Sequence, residues 1–339
     1  MPKTSVSRRQ FLQIVGVGGV AGMAALKLGL GATAASETVT ETRLLMGTVV
    51  NLTLISADRA TARAAITACF EHMSRLELVM SRHQADSQLS QLNQDGYLDT
   101  PDSHLVDLLR LALEMSVVTH GAFDVTIKPL VDLYQQRQQT GMLPDSDSLS
   151  VALERVNYHW VVLNDDHIAF ERPGMGITLD GIAKGYIVDR GMDILREYGF
   201  LDVLVEAGGD LLAFGAQQSM QPWQIGIQSP RRGGARILRA FGVKDRAVAT
   251  SGDYFQPYTP DYQEHHILDP RSGHSAPDIA SATVVADSCT QADVLATALM
   301  VMDLPRGMVL AEELPGVEAL VIAKSGSVYQ TDGFPLSSA

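Results

Sequence analysis

Hydrophobic and polar positions along the chain change period several times. Val50, Leu52 and Leu54 alternate with polar neighbours, which predicts a half-buried strand. Ala64 through Phe70, then Met73, Leu76 and Met80, recur at helical spacing and predict a helix with one apolar face. A second helix is predicted over Ser103–Thr119, with Gly121 just past its end. Leu201–Val205 reads as a short buried strand running into Ala207-Gly208-Gly209-Asp210. Ser281–Ala286 reads as another, followed by a helix opening near Ser288. The polar run Thr140–Asp147 is the best candidate for a subdomain boundary. Strand-like and helix-like stretches alternate without tandem repeats, as in a compact α+β enzyme.

The first 34 residues follow a different logic. Ser7-Arg8-Arg9-Gln10-Phe11-Leu12 precedes an apolar stretch from Ile14 to Leu30 and then Ala32-Thr33-Ala34, the pattern of a twin-arginine export signal with a small-residue cleavage site. Gly16, Gly18, Gly19, Gly22, Gly29 and Gly31 dilute the apolar run and Lys27 interrupts it. A spanning helix needs roughly 20 predominantly apolar residues, so a cleaved leader over 1–34 and one enzyme domain over 35–339 is the expected organisation, with a periplasmic destination. The leader carries Lys3, Arg8, Arg9 and Lys27 and no acid, so its removal takes the net charge from −13 to −17. A chain this acidic is not a nucleic-acid binder by default. Its two cysteines, Cys69 and Cys289, give no disulfide framework and read as buried small hydrophobes.

Candidate chemistry sits at the predicted strand and helix ends. Asp293 and Thr297 lie four apart on a predicted helix, so a carboxylate and a hydroxyl can converge on one hard cation such as Mg²⁺; alone, the pair equally suits an acid in a first helical turn beside a surface threonine. Gly181-Ile182-Ala183-Lys184-Gly185-Tyr186 reads as a turn into a helix whose first amides can meet phosphate, with Lys184 as a point charge, or as an ordinary strand-to-helix turn. It matches neither dinucleotide fingerprint nor P-loop. His266 precedes an Asp269-Pro270 turn. It is either a loop histidine bonded to a carboxylate or a base titrating near neutrality.

Seven segments occur in a telling order: Met46-Gly47-Thr48, Ala122-Phe123-Asp124, Gly181 to Tyr186, Gly208-Gly209-Asp210, Thr250-Ser251-Gly252-Asp253-Tyr254, His266-x-x-Asp269-Pro270-x-Ser272-Gly273, and Asp293-x-Leu295-Ala296-Thr297-Ala298. Together they resemble the motifs of the ApbE-type FAD:protein FMN transferase family, from about Arg43 to the last helix. The resemblance implies a single compact α+β domain with mixed or antiparallel sheets flanked by helices. It implies FAD as substrate with Mg²⁺ at its diphosphate, held by Asp293, Thr297 and the Gly181 and Ala296 carbonyls. Met46, Ala122, Phe123, Asp124, Lys184 and Leu268 match positions that contact FAD, and His266 matches the catalytic base that deprotonates an acceptor threonine or serine, with AMP leaving. The implied acceptor is a membrane redox subunit with an Asp-Gly-x-Ser/Thr-Gly-Ala-Ser/Thr-like segment. Three positions depart from the family pattern: Thr178 where many relatives carry aspartate, Glu206 in the strand before Gly-Gly-Asp, and His83 for a frequent aromatic. A flavin carrier and an FAD pyrophosphatase are the rival activities that the same residues could serve.

Overall fold

The computed structural model describes residues 36–138, 141–217, 220–231 and 237–335, so the expected export leader and cleavage point lie outside the described residues. In chain order the elements are β1 (Glu37–Leu45), β2 (Thr48–Ser56), α1 (Arg59–Met80), α2 (Gln88–Asp95), β3 (Tyr97–Asp99), α3 (Ser103–Val118), α4 (Lys128–Gln138), α5 (Ser146–Leu153), β4 (Val161–Leu163), β5 (His167–Phe170) and α6 (Ala183–Glu197). They continue with β6 (Val203–Ala207), β7 (Asp210–Phe214), β8 (Trp223–Gln228), β9 (Ile237–Val243), β10 (Arg246–Gly252), β11 (Ile279–Ala286), α7 (Cys289–Val301), α8 (Leu304–Glu313), β12 (Glu318–Ala323) and β13 (Val328–Gln330). Eight strands form one sheet in the order β1-β2-β6-β7-β10-β11-β12-β13, and its neighbours pair antiparallel.

The period-2 alternation of these strands sorts their side chains into two cores. Val50, Leu52, Leu54, Ala247, Ala249 and Val284 face the helical layer of α1, α3, α6 and α7. Leu211, Ala213, Val248, Val285 and Leu320 face the other way, onto Trp223, Ile225 and Phe241 of the β8–β9 ribbon. A third cluster joins Leu130 and Tyr134 of α4 to Leu149 and Ala152 of α5 and to Leu268. Both cysteines are buried, as expected.

The predicted elements hold with shifted ends. α1 begins earlier than its apolar run because Asp58 accepts the Ala60 and Thr61 amides as N-cap. β6 starts at Val203, since Leu201 is 64% exposed. The stretch around Thr140–Asp147 is not a boundary: α4 and α5 on its two sides share one core, and Arg137 reaches Asp145 at 2.7 Å.

Candidate functional site

Two tight turns shape one end of the large sheet. Met46 and Gly47, between β1 and β2, have φ of +54° and +69°, and Gly208 and Gly209, between β6 and β7, have +60° and +107°. Two-residue connections with positive φ match the twist of the strands they join, and glycine takes that conformation freely. The turns nest. The Gly208 amide donates to the Val49 carbonyl, and a Cβ on Gly208 would lie 2.4 Å from the Thr48 hydroxyl. Glu206 explains its own departure from the family pattern: its buried carboxylate accepts from Asn51 Nδ2 at 2.5 Å and the Gly209 amide at 2.9 Å, locking the turn to β2. Burial, only partly offset by those bonds, raises its pKa.

Behind these turns the N-termini of α6 and α7 meet. A Cβ on Gly185 would stand 2.4 Å from the Cys289 carbonyl oxygen, so only glycine permits this approach. Asp189, one turn further along α6, accepts the Cys289 and Thr290 amides at 2.7 and 2.9 Å and the Thr290 hydroxyl at 2.5 Å, which fixes the start of α7. α6 begins at Ala183, and Ile182 at its N-cap position offers no side-chain cap. The Ala183 amide turns back to the Leu179 carbonyl, and the positive end of the helix dipole at these first amides attracts anions. One of them, Gly185 N–H, donates to Asp293 Oδ2 at 3.1 Å.

Asp293 is buried, and burial first, then the neighbouring Asp210, pushes its carboxyl well above the usual carboxylate range; Lys184 and the Gly185 amide pull the other way. Lys184 forms an ion pair with Asp210, and although burial opposes its charge, Asp210 and Asp293 hold the ammonium above the usual lysine range. One turn after Asp293, Thr297 Oγ1 sits 3.3 Å from Ser251 Oγ at the end of β10. Gly181 closes the same space. A Cβ there would meet Thr297 Oγ1 at 3.0 Å and the Phe123 ring at 3.4 Å. Asp210 and Asp293 both act on the single Lys184 ammonium, an imbalance that a dication corrects. The Asp293 carboxylate, a hydroxyl on the same helix face and a glycine backbone are the hard oxygen donors that Mg²⁺ prefers. These residues fit that metal.

His266 lies on a long loop over the site, and its position is fixed by its neighbours. Its amide donates to the Gln256 carbonyl at 3.0 Å, and Pro257 pairs with His265. Glu264 is the hub of the loop: its carboxylate accepts the Ser275 amide at 3.1 Å and the Tyr134 hydroxyl at 3.2 Å, and meets His274 Nδ1 at 2.8 Å. His265 and Ser275 bond each other twice, each at 2.9 Å. Burial lowers His266 to about 4, with Asp180 working against it, and lowers His265 to about 3. His266 is therefore neutral near pH 7, and its Nδ1 has no protein partner. The base of the loop is tied down by Asp253, fully buried, which accepts both Arg231 terminal nitrogens at 2.8 and 2.7 Å.

The remaining predicted positions divide. Phe123 borders the site through its approach to Gly181, Ala122 is buried beside it, and Met46 stands in the β1–β2 turn. The Asp124 carboxylate is consumed by Thr126 and by the Tyr158 amide, so it shapes the segment from within. The Leu268 side chain belongs to the α4–α5 cluster, and Ala296 is buried on α7 next to Thr297. Thr178 accepts the Asp180 amide, while His83 is exposed. Sequence reasoning missed Asp189, Glu264 and Arg231. Asp189 and Arg231 give no pattern along the chain, and Glu264 could have been noticed only as an acid two residues before a motif histidine.

Comparison with known proteins gives one consistent result. A family model described as the ApbE family matches residues 46–321. The FAD:protein FMN transferase of Treponema pallidum is 31% identical over 311 residues, covering 86% of each chain, and that of Vibrio cholerae 30% over 299 residues, covering 85% of this chain and 87% of its own. Among solved structures, the flavin transferase ApbE from Vibrio cholerae superposes with a TM-score of 0.76 at 30% identity, and the ApbE protein of Thermotoga maritima with 0.79 at 29%. Each covers 88% of this chain and 98% of its own.

Proposed function

The chain belongs to the ApbE family, and from that premise we propose that it is an FAD:protein FMN transferase, attaching FMN from FAD by a phosphoester bond to a threonine or serine of an exported or membrane redox protein. The observation that carries this reading is the meeting of the α6 N-terminus, a lysine, Asp293 and Thr297 near a neutral histidine.

In this mechanism the α6 amides and Lys184 receive the FAD diphosphate. Asp293, Thr297 and the Gly181 and Ala296 carbonyls would hold Mg²⁺, which supplies Lewis-acid polarisation of a phosphoryl oxygen and neutralises the departing AMP. His266, neutral at pH 7, accepts the proton of the acceptor hydroxyl. The freed oxygen forms a bond to the phosphorus on the riboflavin side, and the bridge bond to AMP breaks. Met46 and Phe123 border the space left for the flavin nucleotide. The twin-arginine leader directs the protein to the periplasm, where an acceptor carrying an Asp-Gly-x-Ser/Thr-Gly-Ala-Ser/Thr-like segment awaits it.

The test is mass spectrometry of a purified acceptor domain after incubation with the protein, FAD and Mg²⁺. The expected product is heavier by one FMN, and the gain disappears without Mg²⁺ and in His266→Ala. Cleavage of FAD to FMN and AMP with the acceptor untouched would replace the proposal with a pyrophosphatase, and intact bound FAD with a carrier.

A further inference from the structure

Most acidic groups near the site have a visible task within the fold. Asp189 caps α7, Glu206 locks the Gly208-Gly209 turn, and Asp293 takes the Gly185 amide and faces the metal space. Asp210 differs from them. It is the first residue of β7 and is 1% exposed, so it offers no surface to any ligand. One oxygen, Oδ1, accepts the Thr250 amide at 3.3 Å; the other meets the Lys184 ammonium. Lys184 keeps 27% of its side chain exposed. The lysine is thus gripped from the sheet side, with part of its side chain left exposed.

We propose that Asp210 is a positioning residue, which stations the Lys184 ammonium at the mouth of the metal pocket so that it meets the FAD diphosphate without first being ordered. This rests on the FAD-binding reading above. A free lysine loses rotamer entropy when a ligand immobilises it. A lysine already held by a buried carboxylate has lost that freedom on folding, so less of the binding energy is spent on ordering it. The same grip keeps the ammonium from collapsing onto Asp293, whose carboxylate is then left to the cation. The Thr250 amide fixes Asp210 in turn, so β7, β10 and α6 are registered through one side chain.

Flavin fluorescence titration of the full chain at saturating Mg²⁺ tests this through FAD affinity, independent of turnover. Asp210→Asn is isosteric and retains the acceptor for Thr250. It is expected to weaken FAD about tenfold, and Lys184→Met at least as much, while the double variant should bind like Lys184→Met alone, because Asp210 acts only through the lysine. Lys184→Arg, which preserves charge and partner, should recover most of the affinity. Should the asparagine variant fail to fold, Asp210→Glu takes its place, and its effect must likewise vanish in the Lys184→Met background. Unchanged FAD affinity in Asp210→Asn, or losses that add in the double variant, would overturn the inference while the wild type still binds FAD. A wild type that binds no FAD removes the functional reading itself.

Discussion

Gly185→Ala sets two effects of opposite sign against each other. Inside a helix, alanine is favoured over glycine by about 1 kcal/mol, so propensity alone predicts a more stable protein. The contact predicts otherwise. The new Cβ would lie 2.4 Å from the Cys289 carbonyl oxygen and 2.9 Å from Thr290 Cα, both backbone atoms with no rotamer to escape into. Carbon and carbonyl oxygen approach to about 3.3 Å, so α6 and α7 must part by about 0.9 Å. Asp189 resists that movement through its bonds to Cys289 and Thr290. Overpacking of this kind costs about 1–3 kcal/mol, which against the propensity gain of about 1 kcal/mol leaves a net loss of up to about 2 kcal/mol. The functional cost is larger. Gly185 N–H holds Asp293 Oδ2 at 3.1 Å, and parting the helices breaks that bond and moves Asp293 and Thr297 away from Gly181 and Lys184. A misplacement of about 1 Å in a catalytic site costs about 10²-fold in rate. Urea unfolding, calorimetric Mg²⁺ titration and the rate of FMN transfer should therefore all deteriorate. An alanine variant that is more stable, with unchanged Mg²⁺ affinity, would show that the two helices slide apart freely and that the reasoning is wrong.

Other outcomes follow from the same geometry. Asp293→Ala should abolish Mg²⁺ binding by calorimetry and lower transfer at least as much as His266→Ala, each by about 10²–10³-fold; normal turnover by the aspartate variant would end the metal assignment. The two loop histidines resist protonation in the folded state, His265 to about 3 and His266 to about 4, against an ordinary 6.5. Their contribution is complete above pH 6.5 and drains as pH falls toward 4, because the unfolded chain takes up protons that the folded one refuses. His265→Gln should accordingly show a smaller drop in urea midpoint between pH 7 and pH 5 than the wild type; an equal drop refutes this. Arg231→Ala strands the fully buried Asp253 and should cost about 2 kcal/mol, at the low side for a buried pair because the arginine is one-third exposed. Circular dichroism melting reads that loss directly, and a melting point within a degree of wild type would exclude it.

The legible part of the fold was the part built from local periodicity. α3 and α7 begin at Ser103 and Cys289, where the sequence placed their starts, and the structure adds Asp102 and Ser288 as their caps. β2 and β11 were visible in alternation and length. What could not be read were long-range duties. Asp189 looks like any polar helical residue until α7 docks on it, and Glu206 looks misplaced in a buried strand until Asn51 and Gly209 come within reach. The Thr140–Asp147 stretch, a boundary candidate within one expected domain, was ambiguous for the converse reason: turn-rich composition marks a chain reversal, and only tertiary packing tells a hairpin of helices from a boundary. At the site, motif order identified the groups, while their burial, which sets His266 below its ordinary pKa, depends on a loop shaped by Tyr134 and Glu264.

The sheet order also has a consequence for synthesis. β2 pairs with β6, and the Asn51–Glu206 bond across that pair spans 155 residues. Ribosomes deliver about 5–20 residues per second, so the inner edge of the first hairpin stays unpaired for roughly 8 to 30 seconds after it emerges. That edge is a strand with alternating Val50, Leu52 and Leu54, which invites pairing with a neighbouring nascent chain. Overproduction at high ribosome density should therefore drive this protein into aggregates seeded by its first hairpin, and slowing initiation should improve the yield of folded material more than slowing elongation.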